Sequence, residues 1–125
     1  MHDYLQPNSD GLRLRESGPW AAEKLDYLAR YIGAFETSMR TKRWRQRSYI
    51  DLFAGPGKCL VPETGAVFLG SPMIAMTTRF PFTHYYFADL DPANIAALRE
   101  RCNGSPLGKS VDYFIGDSNQ EDRAL

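Results

Sequence analysis

Three short segments carry acidic side chains beside glycine or proline: Asp51-Leu52-Phe53-Ala54-Gly55-Pro56-Gly57, Asp89-Leu90-Asp91-Pro92 and Gly116-Asp117-Ser118. Each follows an apolar, aromatic-rich run with the composition of a β-strand. In an open α/β sheet, ligands bind outside the carboxyl ends of the strands. Glycines after the first strand let a ligand approach the backbone closely. An acid ending the second strand can accept hydrogen bonds from both hydroxyls of a ribose. An acid ending the third can accept one from an adenine amino group. Together the three positions describe an adenosine-shaped site.

Phosphate-binding loops fit less well. A P-loop requires G-x-x-x-x-G-K-[ST]. Gly57-Lys58 supplies the GK, but Leu52 stands at the first glycine and Cys59 at the Ser or Thr. A dinucleotide fingerprint requires G-x-G-x-x-G with an acid about 20 residues on. Here Leu60 replaces the third glycine and Asp89 lies 32 residues after Gly57. A ligand without phosphates suits the pattern better. Plainer roles compete at single positions. Asp91 has the place of a helix cap before Pro92, Asp117 either caps a following helix or meets a ligand, and Gly55-Pro56-Gly57 could be an ordinary turn. Cys59 has no neighbouring base to activate it and is expected to be a passive side chain.

A second constellation is basic. Arg40, Lys42, Arg43, Arg45 and Arg47 surround Trp44. Cations around an aromatic ring can grip a phosphate backbone and stack a base. They also suit a helix C-terminus followed by a solvated loop. Residues 1–47 hold 9 basic and 6 acidic side chains, and residues 48–125 hold 6 and 9. The whole chain has 15 of each, so its formal net charge is zero, which argues against a wholly basic nucleic-acid binder. Cys59, Cys102, His2 and His84 lack metal-ligand spacing, so no metal site is assigned, and the two thiols are expected to be reduced.

The elements that must position these residues are legible as periodicities. Leu25, Leu28, Ile32, Phe35 and Met39 fall on one face of a helix predicted over about Trp20 to Thr41. Gly33 weakens that helix but falls on a side where a close neighbour could explain it. Ser48 to Ala54, His84 to Asp89 and Val111 to Gly116 are predicted strands. The near-continuous apolarity of the first predicts cover on both faces. Pro72 to Thr78 is predicted as a helix capped by Ser71, and a second helix starts at Pro92 with Ile95, Leu98 and Cys102 inward, ending at Asn103-Gly104. Lys58 to Gly70 looks irregular, with a small strand at Val67-Phe68-Leu69. Residues 1–18 form an arm, and 19–125 one α/β domain: an amphipathic helix, then β-α-β-α-β. With 43% hydrophobic and 24% charged residues the chain is globular rather than disordered. No apolar run approaches a membrane span and the first residues are polar, so a soluble cytoplasmic protein without membrane contact is expected.

The motif D-x-F-x-G-x-G, an acid ending the second strand and G-D ending the third resemble the class I S-adenosylmethionine-dependent methyltransferases. More narrowly, the chain resembles the three-Cys-motif partner protein family. The matching stretches are Gly18-Pro19-Trp20, Tyr49 to Cys59, Gly70 to Ala75, Tyr85 to Pro92 and Gly116 to Asn119. The resemblance implies a Rossmann-like, doubly wound sheet and S-adenosylmethionine as cofactor. By that resemblance Asp51 helps hold the amino end of the methionine, and Phe53, Ala54, Gly55, Pro56 and Gly57 pass beneath it. Asp89 binds the ribose, Leu90 packs on the adenine, and Asp117 with Ser118 meets the adenine amino group. A partner bearing a three-cysteine motif is also implied.

Members of that class resemble one another in having seven strands; this chain supplies three, the N-terminal half of the sheet, and ends at Leu125. No residue is assigned a catalytic role. The first strand is left with an open edge, of the kind proteins cover. Either another copy pairs with it, giving a homo-oligomer, or the N-terminal arm covers it. Two functions follow: a methyltransferase or its cofactor-binding half, with nucleic acid as the first candidate acceptor, or a non-catalytic binding or assembly module that keeps the fold.

Overall fold

The structure, a computed structural model, describes residues 4–18, 20–39, 47–78 and 81–116. In chain order its elements are β1 (Arg15–Glu16), α1 (Trp20–Met39), β2 (Ser48–Asp51), β3 (Lys58–Val61), β4 (Ala66–Leu69), α2 (Ser71–Met76), β5 (His84–Asp89), α3 (Pro92–Cys102) and β6 (Val111–Ile115). A 3-10 turn, Pro106–Ser110, precedes β6. The architecture is mixed α/β, with two three-stranded sheets ordered β1-β3-β4 and β2-β5-β6.

The second sheet is wholly parallel. Tyr49 lies beside Tyr85 and Tyr85 beside Val111, while Asp51, Phe87 and Tyr113 form the corresponding row further along. Strands β2, β5 and β6 are therefore the three predicted strands in their chain order, with β2 at an edge. Strand β2 is shorter than expected. The Asp51 carboxylate accepts a hydrogen bond from the Phe53 N–H at 3.1 Å, which turns the chain out of the ladder at Leu52. The chain rejoins β5 through Ala54 N to Ala88 O at 2.9 Å.

Among the described residues, the helices cover one face of this sheet. Tyr85, Phe87 and Val111 pack with Ile32 of α1, Met73, Ala75 and Met76 of α2, and Ile95, Leu98 and Cys102 of α3. Complete burial of a side chain such as Leu98 or Phe87 contributes ~1.5–3 kcal/mol. Tyr49, Phe82, Tyr85 and Phe87 pack in series, tilted or edge-on, with ring centroids 5.3, 5.9 and 5.9 Å apart. The opposite face carries Ile50, 63% exposed, with Tyr86 and Phe114 in neighbouring strands. The expectation of cover on both faces is thus corrected: the described helices that pack on the sheet share one side, so alternate β2 residues meet solvent.

Helix α1 follows its predicted stripe, with Ile32 buried and Leu28 packed on the core. The side chains of Phe35 and Met39, and Thr41, lie outside the described residues. A Cβ at Gly33 would meet nothing within 4 Å among the described residues. Helix α2 spans Ser71–Met76, and its N-cap is Gly70 rather than Ser71. The Ser71 hydroxyl donates to Asp51 Oδ2 instead, so it is not available for capping. Asp91 does cap α3, accepting from Ala93 N at 2.9 Å ahead of Pro92. Cys59 and Cys102 are buried free thiols.

The stretch 58–70 is a regular hairpin of β3 and β4, not an irregular segment. Its other edge receives β1 in parallel register, Arg15 beside Cys59 and Glu16 beside Leu60. Among the described residues the arm therefore covers β3 and leaves the edge of β2 open. The arm is held by charge. Asp10 sits between Lys58 Nζ at 2.9 Å and the Arg101 guanidinium at 2.7 and 2.9 Å, and both cationic side chains are fully buried.

Candidate functional site

The carboxyl ends of β2 and β5 meet at the glycine loop, Ala54 to Gly57. Gly55 and Gly57 have φ of +67° and +100°, the left-handed region that favours glycine. Each is also tightly surrounded. A Cβ on Gly55 would lie 2.8 Å from the Arg15 guanidinium, and one on Gly57 would lie 3.1 Å from both Leu98 and Met73. The loop thus lets a guanidinium approach the backbone at Gly55 and lets α2 and α3 close beneath Gly57.

Asp89 ends β5 and is buried, with 8% exposed. Its Oδ2 accepts from Asp91 N at 3.0 Å and from Asn94 Nδ2 at 2.8 Å, both within the start of α3. Its Oδ1 faces Gly55 N at 3.3 Å and Arg15 Nη2 at 3.6 Å. Both oxygens therefore have partners, closer at Oδ2 than at Oδ1. A carboxylate oxygen in that state retains acceptor capacity for a ligand hydroxyl. Phe53, 74% exposed, and Leu90, 67% exposed, stand at the ends of the same strands. Exposed apolar side chains of this size beside a polar loop suit the face of a flat ring.

Beside the loop lies a cleft of about 200 Å³. Its walls come from the arm (Arg15, Ser17), the first turns of α1 (Lys24) and the start of α2 (Ser71). Ala54, Pro56 and Gly57 line it, while Asp51, Phe53, Gly55, Asp89 and Leu90 do not. Asp51 reaches the wall only through its hydrogen bond from Ser71. Drug-sized ligands need roughly 300–1,000 Å³. The cleft alone holds part of such a molecule, with the remainder lying across the open strand ends.

Asp117 and Ser118 lie outside the described residues, as do Arg40, Lys42, Arg43, Trp44 and Arg45. Arg47 is described, and its guanidinium donates to Pro81 O at 2.6 Å and lies 5.7 Å from the centre of the Phe82 ring. No group of metal-ligating side chains is found among the described residues. Burial raises the pKa of both thiols, that of Cys102 to about 12, so neither is a thiolate nucleophile at neutral pH.

Sequence reasoning missed Arg15, Ser17 and Lys24 as walls of the site. One signal was present. Leu12-Arg13-Leu14-Arg15 alternates apolar and charged residues as a strand does. The two breakers flanking it, Gly11 and Gly18, drew the arm reading instead. For Lys24, solvent-facing on an amphipathic helix, no sequence signal separates a cleft residue from an ordinary surface cation.

No helix among the described residues is long and apolar enough to cross a membrane. Comparison of the chain with protein-family models, curated proteins and solved structures finds no match.

Proposed function

We propose that this chain is an S-adenosylmethionine-binding, methyltransferase-like domain. The observation that carries the reading is the buried carboxylate of Asp89, whose Oδ1 has only long contacts, beside a left-handed glycine loop and at the strand ends that carry exposed Phe53 and Leu90. Asp89 Oδ1 would accept from the ribose, Leu90 would pack on the adenine, and the cleft beside Gly55 would take the amino-acid end. The residues present fit those groups. The cofactor would supply an electrophilic methyl group; the chain's own part is to bind and orient it. Nucleic acid is the acceptor suggested by the basic run from Arg40 to Arg47, and a three-cysteine-motif protein is the partner implied by resemblance.

Calorimetry with S-adenosylmethionine tests the reading. Wild type should bind, and Asp89→Asn should weaken binding about tenfold, the value of a hydrogen bond to a charged group. A folded wild type that takes up no nucleoside would end it.

A second reading is favoured by a separate observation. Exposed Ile50 and Phe114 on one sheet face, and an edge of β2 left open among the described residues, are what an assembly module presents to another copy. Sedimentation distinguishes it: a concentration-dependent dimer abolished by Ile50→Lys supports assembly, and a strict monomer excludes it.

A further inference from the structure

Helix α1 turns one side to the core and leaves another side bare. Leu28 and Ile32 pack on the core. Trp20, Tyr27 and Tyr31 are 62%, 60% and 71% exposed. With Lys24 they are spaced 4, 3 and 4 residues apart, which puts all four on one side of the helix. The stripe extends about 16 Å along the axis. Trp20 lies closely against Gly18, where any Cβ would clash with the indole. That fit fixes the ring at the start of the helix.

The stripe joins two clefts. Near its start, Lys24 borders the cleft beside the glycine loop. At its far end, Tyr31 lines a second cleft of about 180 Å³ together with Leu28, Ile32, Tyr49 and Phe82. A cavity of ~150 Å³ accepts a benzene ring, so this cleft suits one flat ring. A cation stands beside it: the Arg47 guanidinium lies 5.7 Å from the centre of the Phe82 ring.

Charge selects the occupant. Residues 40–47, which join α1 to β2 in the chain, hold five of the 15 cations and no acid. On α1, Asp26 is paired with Arg30 at 2.9 Å, and that guanidinium lies 5.9 Å from the centre of the Tyr27 ring. A local cationic excess favours a polyanion and disfavours a second copy that carries the same excess. Exposed rings interleaved with cations are the elements that stack bases and hold phosphates in single strands. A duplex keeps its base faces stacked on one another and leaves such rings nothing to cover.

We infer that this side of α1 binds a single-stranded nucleic acid, with bases stacked on Trp20, Tyr27 and Tyr31 and phosphates held by Lys24 and Arg47. A strand on this path reaches the mouth of the glycine-loop cleft at Lys24. Delivery of an acceptor there rests on the cofactor reading above. The binding itself does not, since Lys24 alone of these five residues borders that cleft.

The test is fluorescence anisotropy with a labelled oligothymidylate, on the full chain and without nucleoside. Wild type should bind it at least about tenfold tighter than a duplex of equal length, with affinity falling as salt rises. Tyr27→Leu and Tyr31→Leu keep apolar bulk but remove the aromatic face. Each should weaken binding about tenfold, while Tyr31→Phe should stay within about twofold of wild type. Both side chains are exposed, so these variants should keep the wild-type Tm. A folded wild type that leaves the strand unbound, equal affinity for the duplex, or leucine variants that bind as wild type would each overturn the inference. So would a dimer in sedimentation that Tyr31→Leu dissolves, which would make this face an interface between copies. Strand binding by a chain that takes up no S-adenosylmethionine would uphold this surface and end the cofactor reading alone.

Discussion

Asp10 and Arg101 stand 91 positions apart and meet as a two-pronged ion pair, Nε to Oδ2 at 2.9 Å and Nη2 to Oδ1 at 2.7 Å. Lys58 joins them at 2.9 Å. All three side chains are buried, so each charge relies on the others for what water would have supplied.

Removing the acid should therefore be severe. Asp10→Ala leaves two buried cations without their counter-charge and should destabilise the fold by ~3–5 kcal/mol. Chemical denaturation measures it. Replacing all three residues together by apolar side chains of similar volume should cost far less, because desolvation of the charges opposes their attraction. A single variant no worse than the triple would contradict this account.

The same cluster sets an acid limit. Burial alone would raise the Asp10 pKa, but hydrogen bonds from Arg101, Lys58 and the Leu12 N–H overcome it and hold it well below the ordinary carboxylate range. A depressed folded-state pKa contributes stability that is present above the unfolded value of about 4 and is lost as pH falls below it. Thermal unfolding followed from pH 7 down to pH 2 should show a falling Tm below about pH 4. That acid-limb slope should be reduced in Asp10→Asn.

Two glycines should respond in opposite directions. Gly33→Ala meets open space inside a helix and should stabilise by ~0.5–1 kcal/mol. Gly57→Ala adds a Cβ at positive φ, 3.1 Å from Leu98 and Met73, and should destabilise by at least ~1–2 kcal/mol. Paired urea titrations read both signs.

Native thiols should be inert. Burial raises both thiol pKa values, most at Cys102, so a disulfide reagent at pH 7.5 should label neither until urea unfolds the chain. Rapid labelling of Cys59 in the native protein would show that the β1–β3 pairing opens readily.

What was legible in the sequence was local. Alternating and 3.6-residue patterns identify β5, α3 and α1, and Asp91-Pro92 marks a helix start because cap chemistry lies within two residues. The glycine loop is legible because positive φ selects for glycine. Cover on both faces of β2 was misjudged because apolar composition does not record which side a neighbour occupies. Nothing local marks Lys58 and Arg101 for burial, since burial of such groups is decided by an acid far along the chain. Ser71 looked like a cap because the competing acceptor, Asp51, lies 20 positions earlier. Arg15 was missed at the site for the same reason: its partners Gly55 and Asp89 are brought to it only by tertiary folding.

The span between Asp10 and Arg101 bears on the order of folding. Residues 84–115 form a contiguous strand-helix-strand unit whose contacts are short in sequence, so closing them costs little chain entropy. Docking the arm pairs it with β3 and closes a loop of most of the chain onto Arg101 of α3. Arm docking is therefore the late event, and the wall of the cleft that bears Arg15 is the last to be assembled and the first to be released by local opening.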